Sequence, residues 1–118
     1  MKKLLFDIKH IFRAFTYSWK GLVYVFKNEI AFRQDVLVFL IGSVVSFFLP
    51  VCALSRSVMI FSLFFILLME MVNTAIEVVV NRISTELHPL SGHAKDIGSA
   101  LVLLAFLNAI IVWVLILV

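Results

Sequence analysis

No charged residue occurs between Val36 and Ser55, between Ser57 and Met69, or after Asp96. Crossing the roughly 30 Å hydrocarbon core of a bilayer takes about 20 consecutive apolar residues in a helix. The first and last runs are long enough to do so unaided. The middle run becomes long enough with the helical pattern that follows it. Among the 118 residues, 64% are hydrophobic and 14% charged. A soluble domain this short could not hide so much apolar surface within itself. The expected fold is an all-α membrane protein of one domain, residues 1–118. It has an N-terminal amphipathic interfacial helix over about 3–27 and spans over about 30–49, 54–86 and 94–118.

The segment Lys3 to Lys27 lacks an unbroken apolar run but has a period. Leu4, Ile8, Ile11, Phe15, Leu22 and Phe26 recur at three- and four-residue steps or their multiples. Lys9, Arg13, Lys20 and Lys27 fall mainly on other faces, so the segment reads as an amphipathic helix at the membrane interface. Gly21 is expected to weaken or bend it. Asp7, Lys9, His10 and Arg13 interrupt the apolar core that a cleavable signal peptide requires. Nucleic-acid binding would call for a basic face on a soluble module. Here the basic residues flank spans, so no nucleic-acid partner is expected. The Lys/Arg bias places the amino terminus and the Arg82–Lys95 connection in the cytoplasm. The lone Cys52 allows no internal disulfide and reads as a packing residue.

The second span is expected to run from near Leu54 to about Glu86, roughly 50 Å at 1.5 Å per residue. That exceeds the hydrocarbon thickness, so its C-terminal third must leave the membrane core. Asn28 is placed to cap the first span. The segment His88 to His93, with Pro89 and Gly92, reads as a loop.

The stretch Met69 to Arg82, MEMVNTAIEVVVNR, carries the chemistry. Glu70 and Glu77 are seven apart, which on a helix puts them within about 20° of each other. Asn73 and Asn81 lie on or near the same stripe. A carboxylate inside the membrane costs a few kcal/mol on insertion scales, so a cation, a partner or water must offset it. Glu29, Gln34, Asp35, Lys95 and Asp96 are expected at the same cytoplasmic edge. Carboxylates without His or Cys companions suit a hard cation such as Mg²⁺, and a lysine suits phosphate. Together they suggest phosphoryl transfer from a soluble donor to a lipid. The same spacing also fits glutamates that pair with Lys95 and Arg82, or face a watery groove, in a bundle without catalytic function. His88 and His93 are open to two readings, metal ligands or solvated loop residues. Trp19 and Trp113 read as interfacial anchors.

Four blocks carry a resemblance: YSWKGL (17–22), NEIAFRQD (28–35), EMVNTAIEVVVNRI (70–83) and LSGHAKDIGSA (90–100). In order and spacing they resemble the bacterial integral-membrane diacylglycerol kinase family. The resemblance implies a homotrimeric helical bundle of the bacterial inner membrane, with active sites shared between subunits and facing the cytoplasm. It implies transfer of the ATP γ-phosphate to diacylglycerol, giving phosphatidic acid. Glu70 takes the family's general-base position. Glu29 and Glu77 match the carboxylates that hold Mg²⁺ with ATP. His10, Tyr17, Glu86, His88, Lys95 and Asp96 match nucleotide-binding positions. Glu70, Asn73 and Ser99 match positions at the lipid. Ala14, Trp19, Ala31, Arg33, Gln34, Arg56 and Trp113 fall in segments that contact it. His10 and His93 stand where arginines are common, and Asn81 where an aspartate is. The alternatives are an undecaprenol kinase with the same carboxylates, and a small membrane scaffold or channel oligomer without enzymatic activity.

Overall fold

The computed structural model describes residues 1–83 and 86–118. Ser84 and Thr85, inside the expected second span, lie outside them. Four helices account for nearly all of the described chain: α1 (Lys2–Asn28), α2 (Ile30–Phe47), α3 (Ala53–Ile83) and α4 (Pro89–Leu117). The described residues contain no strand, so the chain is all-α as its periodicity requires. Helices α2, α3 and α4 are long and apolar enough to cross a membrane. The chain divides into two compact units, Met1–Ile30 and Ala31–Val118.

The first unit is essentially α1. The helix is continuous through Gly21. One glycine costs only about 1 kcal/mol in a helix, which the amphipathic residues on either side absorb. Thr16 and Ser18 donate their hydroxyls to the carbonyls of Phe12 and Ala14, so neither leaves a polar group unpaired on the helix. The Lys20 ammonium lies 5.9 Å from the Tyr17 ring centroid. Asn28 does not cap the next helix as expected. Its amide donates back to the Tyr24 carbonyl at 2.9 Å, which closes the last turn of α1. Glu29 then leaves the helical conformation, at φ −118° and ψ 108°, and ends the helix.

In the second unit α3 and α4 form the principal packed pair. Two contacts define their antiparallel register. The Trp113 indole donates to the Met59 carbonyl at 3.2 Å, and Gly98 lies against Asn73 at the other end. Between them Leu63, Ile66, Ala105 and Ala109 form the buried core. Lipid is as apolar as leucine, so close packing rather than water exclusion must hold such helices together. The alanines of α4 provide it by letting the two backbones approach. Helix α2 joins through Phe39, whose ring centroid is 5.9 Å from that of Phe64, and through Gly42, which lies against Leu63 and Trp113.

The turn between α2 and α3 is tied by Arg56. Its guanidinium donates to the carbonyls of Ser46 (2.9 Å), Leu49 (3.3 Å) and Val51 (3.1 Å). It also lies 5.1 Å from the Phe47 ring centroid. A helix C-terminus has carbonyls with no partner of their own and a partial negative charge, and an arginine meets both needs.

The start of α4 corrects the expected loop. Pro89 is its first residue, and His88 caps it by accepting the Leu90 N–H on Nδ1 at 3.1 Å. Proline breaks a helix interior but suits the first turn, where its missing N–H would have had no partner. Gly92 lies inside this helix, and its amide donates to the His88 carbonyl at 3.0 Å.

Candidate functional site

Glu70 lies about 26 Å along α3 from Ala53 at 1.5 Å per residue. In a core of roughly 30 Å that depth is just inside the far edge. Glu70 is only 8% exposed, a carboxyl group enclosed by a membrane helix bundle. Its company explains how it is held. The Asn73 side chain, one turn further on, hydrogen-bonds to it, and the Asp35 carboxyl of α2 meets it from across the bundle. Thr74 donates to the Glu70 carbonyl at 3.1 Å, which removes a second polar group from competition.

Asn73 is held in turn by α4. A methyl group on Gly98 would collide with the Asn73 side-chain oxygen and crowd Ile76. Gly98 is therefore the position at which α4 comes close enough to enclose the polar ribbon. That oxygen is buried without a hydrogen-bond partner, as is Oδ2 of Asp35. Such groups normally cost about 1–3 kcal/mol each and are rare in finished structures. Two of them beside one buried glutamate mark this level as a place built for something other than stability.

Beyond Glu70 the ribbon opens outward. Glu77 is half-buried two turns later. By the register of α3 and α4, Lys95 stands at the level of Glu77, and Ser99 at that of Asn73; both are exposed. Past them lies a cleft of about 490 Å³, bordered by Asn81, Glu86, His88, Ser91 and Lys95. A volume of that order accepts a small-molecule ligand. His88 is oriented there by its capping bond. With Nδ1 accepting from Leu90, the neutral ring carries its proton on Nε2.

The second unit thus brings Glu70, Asn73, Glu77, Glu86, His88, Lys95, Asp96 and Ser99 to one end of the α3–α4 pair. Ala31, Arg33 and Gln34 occupy the first turns of α2 and are exposed. Arg56 and Trp113 are at the other end, committed to the carbonyls described above. His10, Ala14, Tyr17, Trp19 and Glu29 belong to the first unit. All except Glu29, which is half-buried, are exposed, and His10 shares a small depression with Phe6, Lys9 and Arg13. Among the described residues no three His, Cys, Asp or Glu side chains gather into a metal-holding group.

Two participants had no separate signal in the sequence. Asp35 is visible as an acidic residue at the start of a span, but nothing in its spacing ties it to Glu70. Gly98 looks like any small residue until Asn73 is seen against it.

Comparison with known proteins gives a consistent result. Residues 16–117 match the family model described as prokaryotic diacylglycerol kinase. The diacylglycerol kinase of Escherichia coli strain K12 is 46% identical over 107 residues, covering 91% of this chain and 88% of that protein. The diacylglycerol kinase of Haemophilus influenzae is 42% identical over 106 residues, covering 90% of each. That of Pseudomonas aeruginosa is 41% identical over 110 residues, covering 93% and 89%.

Proposed function

The chain belongs to the prokaryotic diacylglycerol kinase family, and from that premise we propose how its residues carry out the reaction. It is an ATP-dependent lipid kinase acting on diacylglycerol. The observation that carries the mechanism is the enclosed Glu70, held by Asn73 at the membrane edge and facing an end that opens toward Lys95 and the cleft.

Glu70 is the general base. A lipid whose acyl chains stay in the hydrocarbon presents its free hydroxyl at this depth. Glu70 takes the hydroxyl proton while that oxygen attacks the γ-phosphorus of ATP. The bond from that phosphorus to the oxygen bridging the β- and γ-phosphates breaks, and ADP leaves with the electron pair. The products are phosphatidic acid and ADP. A positioned base of this kind contributes about 10²- to 10⁴-fold.

Lys95 supplies positive charge to the phosphates. Asp96, Glu86 and His88 of the second unit hold the nucleotide; His10 and Tyr17 of the first unit are assigned to nucleotide binding by the family's motifs alone. Glu77 of the second unit would hold Mg²⁺, which would supply positive charge to the phosphates of ATP when bound; Glu29 of the first unit is assigned the same role by the family's motif. Asn73 and Ser99 line the lipid side, with Ala31, Arg33 and Gln34 in the first turns of α2; Ala14 and Trp19 of the first unit are assigned to lipid contact by the family's motifs alone. Arg56 and Trp113, at the opposite end of the α3–α4 pair, fall in segments that contact the lipid. The working unit is a homotrimer in the bacterial inner membrane, with the amino terminus and the active sites on the cytoplasmic side.

The test is lipid phosphorylation by the purified chain with Mg-ATP, offered diacylglycerol or undecaprenol, beside Glu70→Gln. The reading expects phosphatidic acid from the parent and a loss of about 10²-fold or more in the variant. Parent-like turnover in the variant removes Glu70 as base. Activity confined to undecaprenol overturns the acceptor.

A further inference from the structure

Asp35 occupies a setting that the mechanism so far leaves unused. It is 6% exposed, on a helix otherwise committed to crossing the membrane. Its Oδ2 is enclosed, and no protein donor among the described residues reaches it. A polar group that does reach Asp35 is the carboxyl of Glu70, from a different helix. A lone buried carboxyl group is expensive, and it is ordinarily matched by an arginine, a lysine or backbone N–H groups. Here a carboxyl is matched to a carboxyl, which needs an explanation.

The chemistry of such a contact depends on its protons. Two ionised carboxylates in contact repel each other, whereas a single proton between them turns the contact into a hydrogen bond. We infer that Asp35 is a positioning residue for the base: it orients the Glu70 carboxyl toward the lipid hydroxyl and accepts a hydrogen bond from Glu70 once the lipid proton has arrived there. The balance is simple. The proton leaves the lipid oxygen as the new O–P bond forms, resides on a Glu70 oxygen, and is shared with an Asp35 oxygen until water removes it. Asp35 forms no bond to substrate or phosphate. Asn73 complements it. The Asn73 side chain holds the Glu70 carboxyl from the next turn of α3, while Asp35 meets it from α2. The arrangement follows the same logic as a catalytic base held by a third group.

This inference rests on the proposed role of Glu70, and the experiment separates the two. The full chain is assayed in lipid micelles with diacylglycerol and Mg-ATP, as parent, Asp35→Asn, Asp35→Glu, Glu70→Gln and the double variant Asp35→Asn/Glu70→Gln. Asparagine keeps the shape and an accepting oxygen of Asp35 but lacks the negative charge that strengthens the hydrogen bond to a protonated Glu70. Asp35→Asn is expected to lower kcat about 100-fold, the scale of one acid–base partner, with KM for ATP and for lipid within about twofold of the parent. Asp35→Glu recovers most of that loss. In the Glu70→Gln background Asp35→Asn produces no further loss, because its effect passes through Glu70. A parent-like kcat in Asp35→Asn, with Glu70→Gln inactive, overturns the inference about Asp35 alone. Independent, additive losses overturn it too, since they make Asp35 a structural residue. Full turnover in Glu70→Gln overturns the base itself, and the Asp35 inference with it.

Discussion

The two ends of the α3–α4 pair are built from the same kinds of contact and finished differently. At the Trp113 end most polar side chains are paired, with the enclosed Ser43 hydroxyl as the exception. Arg56 spends its guanidinium on three carbonyls, Trp113 donates to Met59, and Ser46 and Ser62 bond to carbonyls three residues back. At the Gly98 end two enclosed oxygens, on Asp35 and Asn73, are left without partners around Glu70. A glycine lets a neighbouring helix in at both ends. Gly42 admits the flexible tip of Leu63, and Gly98 admits the polar head of Asn73. The difference teaches how a chain with so little room divides its labour. One end is tied chiefly by side-chain bonds to carbonyls, and the other keeps enclosed polar groups around Glu70, where we propose that the lipid hydroxyl is received.

That division predicts effects of different sizes and kinds. Glu70→Gln strikes the open end directly. Turnover should fall by about 10²- to 10⁴-fold, with no fall in thermal stability, as followed by product formation and by unfolding on the same sample. Lys95→Ala comes next. Removing a charge that meets phosphate should raise KM for ATP by about tenfold, equivalent to roughly 1.4 kcal/mol, while KM for lipid stays level; a change confined to the lipid KM would misplace Lys95.

Gly98→Ala tests the enclosure. The added methyl must push Asn73 off the position from which it holds Glu70. A loss of kcat of about tenfold or more is expected, because small misplacements at an active site are costly. Gly42→Ala adds the same methyl at the closed end, where the tip of Leu63 can swing away. It should cost less than about 1.5 kcal/mol of stability and leave kcat alone. If the two glycine variants behave alike, the contrast between the ends is wrong.

Much of the fold could be read from the sequence because a membrane imposes strong rules. Uncharged runs of the right length marked α2, α3 and α4, and the three-to-four residue period marked α1. The ribbon of Glu70, Asn73 and Glu77 was readable because a helix turns by a fixed angle. What escaped involved choices between equivalent local signals. Pro89 and Gly92 suggest a loop and instead begin α4, since the same proline is well suited to a helix's first turn and His88 supplies the cap. Asn28 has the chemistry of a cap for α2 but bonds backward to Tyr24. Gly21 does not interrupt α1, which runs unbroken from Lys2 to Asn28. The pairing of Asp35 with Glu70 joins two helices distant in sequence, and no periodicity within either one reports it.

Met59 offers the counterpart to Glu70, since it is fully enclosed at the closed end and touches no reacting group. Met59→Ala should lower stability by about 2 kcal/mol or more through lost packing, and turnover measured below its unfolding temperature should stay within about twofold of the parent. The most direct test of the account is therefore to measure unfolding temperature and diacylglycerol phosphorylation on the same preparations of Glu70→Gln and Met59→Ala. The account predicts a crossed result: Glu70→Gln keeps the parent's unfolding temperature and loses turnover, and Met59→Ala loses stability and keeps turnover. Parent-like turnover in Glu70→Gln, or a loss of turnover in Met59→Ala as deep as in Glu70→Gln, would contradict it.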